Sequence, residues 1–195
     1  MSHRTRHLPP TSNPVQKAVR EMRYHEPSRQ LLALAFALLF AVMAPPGWVV
    51  LYWVGLPLAA AGILVRLWAS GHVVKNRELA TNGPYALVRH PLYVGNILLL
   101  AGFSIASQLW WAIPLVLVFL WFYYPPAVQY EDLKLQRKFS EQWDNWAART
   151  PALLPRLGNL GQAGGRWSFR QSLMGNGEPL IAVYLVFCAW YLVVI

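Results

Sequence analysis

The sequence points to an all-α protein that crosses a lipid bilayer about five times, and three features carry that expectation. Of its 195 residues 56% are hydrophobic and only 13% charged, roughly half the charged share of an ordinary globular domain. Five apolar stretches approach the ~20 residues a helix needs to cross a hydrocarbon core ~30 Å thick. The basic residues, 17 Lys and Arg against 8 Asp and Glu for a net charge of +9, cluster outside those stretches.

Residues 31–44 form the first stretch, short and stopped by Pro45-Pro46-Gly47. The second, 48–70, carries only Arg66, and together the two suggest a helical hairpin. Arg66 is expected to snorkel or to pair with Glu78 or Glu131. The third stretch opens at Pro91 and runs to 107, and a very short link leads to the fourth, 110–128. The fifth, 179–195, is uncharged. The chain divides accordingly into a basic tail (1–30), a membrane core (31–155), an irregular glycine-rich loop (156–178) without assigned chemistry, and a last helix (179–195).

The tail has no apolar core, so no cleavable signal peptide is expected. Arg4, Arg6, Lys17, Arg20, Arg23 and Arg29 lie in it, Lys75, Arg77 and Arg89 lie in the second connection, and the rest follow the fourth stretch. By the positive-inside rule these segments face the cytoplasm, as in an inner-membrane protein, with the C-terminus across the membrane. Topology and anionic headgroups account for the charge, so no nucleic-acid partner is implied. The single cysteine, Cys188, excludes an internal disulfide and a cysteine-ligated metal site within one chain. Most of the ten tryptophans suit interfacial belts.

Chemistry falls to two polar segments. Between the second and third stretches, Asn82-Gly83-Pro84 is turn chemistry, a helical turn is expected over 85–89, and Pro91 starts a helix at its first position. The helix N-terminus beside Arg89 and His90 would favour an anion. After the fourth stretch come Glu131 and Asp132, then an amphipathic run with Leu135, Phe139, Trp143 and Trp146 at helical spacing, read as a separate interfacial helix. No Gly-x-Gly-x-x-Gly, Gly-x-Ser-x-Gly or His-Glu-x-x-His motif occurs, and no metal site is expected.

Gly83-Pro84-Tyr85, then Arg89-His90-Pro91-Leu92-Tyr93, then Glu131-Asp132 ahead of Leu135, Phe139, Trp143 and Trp146, form a pattern over about 65–155. It resembles the isoprenylcysteine carboxyl methyltransferase and phospholipid methyltransferase group of integral membrane enzymes. The resemblance implies S-adenosyl-L-methionine at the cytoplasmic ends of the helices, without a Rossmann domain. By position it implies cofactor contacts from Lys75, Tyr85, His90, Pro91, Leu92, Tyr93 and Glu131, with Leu79 and Ala80 contributing mainly backbone. Arg89 and Glu131 are the candidate catalytic residues. A Gln is common in the group where Lys75 stands. Members that act on prenylated cysteine carboxylates commonly carry an arginine where Ala127 stands, a departure from strict isoprenylcysteine specificity that Arg89 could offset.

The residue chemistry agrees. The cofactor presents a carboxylate, an ammonium, a sulfonium and an adenine, so it asks for an anion pocket, a carboxylate and aromatic walls. His90 with the helix N-terminus suits the first, Glu131 the second, and Tyr85, Tyr93 and Trp143 the third. Methyl transfer depends on positioning and on water exclusion. A carboxylate acceptor needs no base, whereas an amine or thiol would need Glu131, Asp132 or His90 to take its proton. The expected substrate is lipophilic or prenylated and enters from the bilayer. Two other readings use the same fold: an NADPH-dependent sterol- or steroid-reductase-like enzyme, and a non-enzymatic membrane protein. Gly83-Pro84-Tyr85 and Pro91 favour the methyltransferase.

Overall fold

A computed structural model describes residues 13–46, 50–73 and 77–194. Lys75 lies outside the described residues. Those residues fold into six α-helices with short 3-10 and π turns: α1 (Pro14–Arg23), α2 (Glu26–Met43), α3 (Leu51–Ser70), α4 (Pro91–Ala106), α5 (Ala112–Ala147) and α6 (Glu178–Val194). Among the described residues there is no strand.

α2, α3 and α5 are long and apolar enough to cross a membrane. α4 and α6 are apolar but shorter, 16 and 17 residues, or roughly 25 Å of helix each. The first apolar stretch begins earlier than its hydrophobicity indicates. The His25 side chain accepts the Ser28 N–H and Pro27 sits in the first turn, so helix starts at Glu26 and brings Arg29 into α2. The fourth stretch and the start of the amphipathic run are continuous. Residues 112–130 carry no charge, but the helix continues past Glu131 to residue 139; a kink at Ser140 (φ 42°, ψ −115°) separates it from a second helical segment that carries Trp143 and Trp146 and ends at Ala147. Charge ends an apolar run; it does not end a helix.

α3 and α4 make the most extensive contact in the molecule, and small residues permit it. A Cβ on Gly62 would lie 2.6 Å from the Gly95 carbonyl oxygen and 2.7 Å from the Leu99 nitrogen. One on Gly102 would lie 2.4 Å from the Ala59 nitrogen and 2.6 Å from the Gly55 oxygen. The two backbones touch, as helices in lipid do where side chains are small. α6 closes the bundle: the Tyr184 hydroxyl donates to the Leu34 carbonyl (3.0 Å) and that of Tyr52 to the Leu192 carbonyl (3.4 Å). Cys188 is fully buried at this contact.

The glycine-rich stretch before α6 is an ordered strap, not an irregular loop. It contains a 3-10 turn at Leu157–Gln162 and a π turn at Gln171–Gly175. Trp167 Nε1 donates to the Leu67 carbonyl (2.9 Å), Ser168 N to that of Gly71 (3.1 Å), and Asn176 Nδ2 to that of Ser70 (2.9 Å). Gln171 Nε2 donates to the Val73 carbonyl (2.9 Å). The strap thus takes the carbonyls orphaned at the end of α3 and delivers Glu178 to Arg66. Arg66 pairs with Glu178 rather than with Glu78 or Glu131: Nη2 meets Oε1 at 2.7 Å and Nε meets Oε2 at 3.0 Å, with Asn96 Oδ1 accepting from Nη1. An arginine buried in an apolar helix needs such a partner.

Candidate functional site

The connection from α3 to α4 folds before it reaches Pro91. Gly83 has φ +56°, a conformation that glycine adopts freely. The His72 ring lies only 2.6 Å from where a Cβ on Gly83 would stand. A 3-10 turn follows over Gly83–Ala86, starting two residues earlier than the helical turn expected at 85–89. It buries Tyr85, and the Trp146 indole N–H donates to the Tyr85 carbonyl at 3.1 Å. Burial, reinforced by Glu178, Glu131 and Tyr93, pushes the Tyr85 hydroxyl well above its ordinary pKa, so it stays protonated.

His90 precedes Pro91 as the N-cap of α4 without a capping side-chain bond. Its imidazole turns instead to α5, with Nε2 2.9 Å from Asp132 Oδ1 and the ring stacked on Tyr93 at 5.4 Å. Arg89 grips the same carboxylate twice, through Nη2 to Oδ2 (2.9 Å) and Nε to Oδ1 (3.2 Å). Its Nη1 donates to the carbonyls of Thr150 (2.8 Å) and Ala147 (3.4 Å), and the guanidinium lies over the Trp143 ring at 5.8 Å. Burial alone would raise the Asp132 pKa, but the bonds from His90 and Arg89 outweigh it and hold the carboxyl below its ordinary value.

Arg89 and His90 therefore do not form the open anion site expected at this helix end. Their N–H groups donate to the Pro151 (2.8 Å) and Ala152 (3.1 Å) carbonyls, and those of Tyr93 and Val94 return to the His90 carbonyl. The cluster is a strut that ties the polar half of α5 to the start of α4.

Behind the strut lies a cavity of about 450 Å³, within the usual range for a small-molecule site. Leu79, Ala80, Tyr85, Arg89, His90, Pro91, Leu92, Tyr93 and Glu131 all line it. The structure thus gathers into one cavity the described residues expected by position to contact the cofactor, whereas Trp143 and Asp132 line a neighbouring hollow. Among the described residues Glu131 has only Lys134 (3.1 Å) as an ion-pair partner, with both side chains about a third or more exposed. Such a pair contributes little and exchanges readily. Leu135 and Phe139 add apolar wall. Aromatic faces, a replaceable carboxylate and apolar walls fit the sulfonium, ammonium and adenine of the expected cofactor.

The opposite wall went unseen in the sequence: Arg29 from α2, Arg66 from α3, Asn96 from α4, and Asn176 with Glu178 from the strap and α6. One signal was available. A charge inside an apolar helix requires a partner, and Glu178 is the acid that opens the last apolar run. Beyond the strut, a second hollow of about 690 Å³ is lined mainly by apolar side chains, among them Ile97, Leu120, Val128, Trp143 and Leu153, with Asp132 at its edge. Among the described residues no group of three or more His, Cys, Asp or Glu is placed to hold a metal ion.

Comparison with known proteins agrees with this geometry. Residues 50–142, from the start of α3 into the polar half of α5, match the phospholipid methyltransferase family. A nickel-cobalt-cadmium resistance protein, NccN, of Alcaligenes xylosoxydans xylosoxydans is 40% identical over 106 residues, 53% of this chain and 47% of its own length. A cobalt-zinc-cadmium resistance protein, CzcN, of Cupriavidus metallidurans is 37% identical over 105 residues, with the same coverage of 53% and 47%. The match spans about half the length of these curated relatives. No solved structure matches.

Proposed function

Because residues 50–142 match the phospholipid methyltransferase family, we propose that this protein is a membrane methyltransferase. It takes S-adenosyl-L-methionine into the cavity between the α3–α4 connection and α5, and methylates a lipophilic acceptor. The observation that carries this reading is the convergence of Tyr85, Leu92, Tyr93 and Glu131 on one cavity. α4 and α6 complete five spans in this reading, and the basic residues place the cavity at the cytoplasmic side of an inner membrane.

When bound, the cofactor supplies an electrophilic methyl group on a sulfonium. Glu131, now paired with Lys134, would hold the cofactor's ammonium. The Tyr85 ring would face the positive sulfur, and Leu79, Leu92, Leu135 and Phe139 would keep water from it; the Tyr93 ring is taken up by His90 and Arg29. Arg89 acts as a positioning residue: with Asp132 and His90 it fixes the wall that carries Glu131. The apolar hollow beyond that strut gives an acceptor from the bilayer a way in. Asp132, held below its ordinary pKa by the bonds from His90 and Arg89, is a poor proton acceptor. An amine or thiol acceptor would therefore depend on Glu131 or His90 as base, whereas a carboxylate acceptor needs none. The names of the two relatives concern resistance to metal ions.

Calorimetric titration of the detergent-solubilised protein with S-adenosylhomocysteine tests the reading, with NADPH as the parallel ligand. Saturable binding of the first alone is expected; binding of NADPH alone, or of neither, overturns it. Glu131→Gln should weaken S-adenosylhomocysteine by about tenfold or more with an unchanged melting temperature, since a lost charge-assisted bond costs roughly 1.5–3 kcal/mol. Unchanged affinity would remove Glu131 from the ammonium site.

A further inference from the structure

Arg29 is only 6% exposed and lines the cavity, yet among the described residues no carboxylate is in ion-pair contact with it. Its Nη2 donates to the Tyr93 hydroxyl at 3.1 Å, and its guanidinium lies 5.0 Å from the centre of the Tyr93 ring. The acids of the same wall are directed elsewhere. Glu178 gives both oxygens to Arg66, and Glu26 accepts from Gln30 at 3.4 Å. A buried guanidinium has five donors and a full charge. One tyrosine satisfies neither, and an unpaired buried charge is costly unless something else compensates it.

We propose that Arg29, backed by Tyr93, is the anchor of an oxyanion-binding site at the α2 wall of the cavity, and that it selects amphiphiles with a carboxylate or phosphate head. This rests on the methyltransferase reading for the statement that the amphiphile is the methyl acceptor; the anion site itself does not. Arg66 cannot serve, because Glu178 neutralises it. Arg89 cannot, because Asp132 and two carbonyls occupy it. Arg29 is the arginine of the cavity wall whose charge no acid answers. It also lies on α2, outside the family-matched residues 50–142, and meets them at Tyr93. A planar guanidinium suits the paired oxygens of a carboxylate or phosphate. The apolar side chains around the cavity, Leu92 and Ile181 among them, receive the start of a hydrocarbon tail.

The test titrates the full chain in detergent with dodecyl phosphate, dodecanol, methyl phosphate and S-adenosylhomocysteine, comparing wild type with Arg29→Met and Arg29→Lys. Dodecyl phosphate should bind wild type about tenfold or more tighter than Arg29→Met, as expected for loss of a charge-assisted contact, with Arg29→Lys between them. Dodecanol and S-adenosylhomocysteine should change by less than about twofold on the same scale. If Arg29→Met fails to fold, a fall of dodecyl phosphate affinity in Arg29→Lys carries the result, because lysine keeps the charge and loses the fork. Equal dodecyl phosphate affinity in wild type and variants, or dodecanol binding as tightly as dodecyl phosphate, overturns the proposal. Methyl phosphate binding as tightly as dodecyl phosphate overturns the amphiphile as the source of the anion. Loss of S-adenosylhomocysteine binding with Arg29 would move the residue to the cofactor. A wild type that binds dodecyl phosphate through Arg29 but binds no S-adenosylhomocysteine supports the anion site and overturns the methyltransferase reading alone.

Discussion

Gly62→Val should leave little correctly folded protein. The new side chain would press on backbone atoms of Gly95 and Leu99 at 2.6–2.7 Å, where no rotamer can yield. Relief requires α3 and α4 to separate, and lipid supplies no hydrophobic force to hold them once close packing is lost. Overpacking of this kind costs roughly 3 kcal/mol or more. The damage would extend to the cavity, because the Arg66 side chain passes over Gly95, its Cγ 2.6 Å from where a Cβ would stand there. Moving α3 off α4 pulls Arg66 from Asn96 and Glu178. Thermal unfolding in detergent checks this against Leu64→Val, a change at a position 65% exposed on the outside of the same helix. Similar melting of the two variants would refute the argument.

Asp132→Asn should be the most damaging change within the site. It removes the charge that Arg89 and His90 share, with side-chain exposures of 17% for Arg89, 5% for His90 and 18% for Asp132. A fully buried pair broken in this way costs about 3–5 kcal/mol; partial exposure brings the expectation to about 2–4 kcal/mol. Freed from the connection, the polar half of α5 would let go of Tyr85 through Trp146, and S-adenosylhomocysteine binding should fall with stability. The pH dependence has a definite sign. A carboxyl held below its ordinary pKa stabilises the fold above the ordinary carboxylate range and loses that contribution as pH falls through its folded value. Melting temperature recorded against pH should therefore show a shallower acid limb in Asp132→Asn than in wild type. Parallel limbs would show that the strut contributes nothing.

The half of the cavity made by the connection and α5 was readable because local chemistry dictates it. Gly83, Pro84 and Pro91 punctuate the chain, and the apolar spacing from Leu135 to Trp146 places one helical face. The roles of Arg89 and Asp132 were misjudged because sequence shows that an arginine and an acid exist, not that they consume each other across 43 residues. The other wall was hidden for the same reason at longer range. Arg29 meets Tyr93 over 64 residues and Arg66 meets Glu178 over 112. Arg29 looked like one more charge of a solvated tail until the cap at His25 started α2 early. The strap escaped notice because its bonds run through backbone carbonyls of α3 and the residues just after it, which no composition records.

α5 carries one further consequence. Helical geometry persists from Ala112 to residue 139, with Pro125 and Pro126 inside it, so the uncharged portion that meets lipid joins the portion that bears Glu131 and Asp132 at a point where backbone hydrogen bonds are missing and the helix bends most easily. A helix whose apolar length differs from the hydrocarbon thickness tilts to match it. Tilt of the lipid-held arm loads this bend and the Asp132 strut that fixes the wall carrying Glu131. The acyl-chain length of the surrounding lipids thus becomes a mechanical input to the site, and S-adenosylhomocysteine affinity should vary with it when the protein is reconstituted in bilayers of graded thickness.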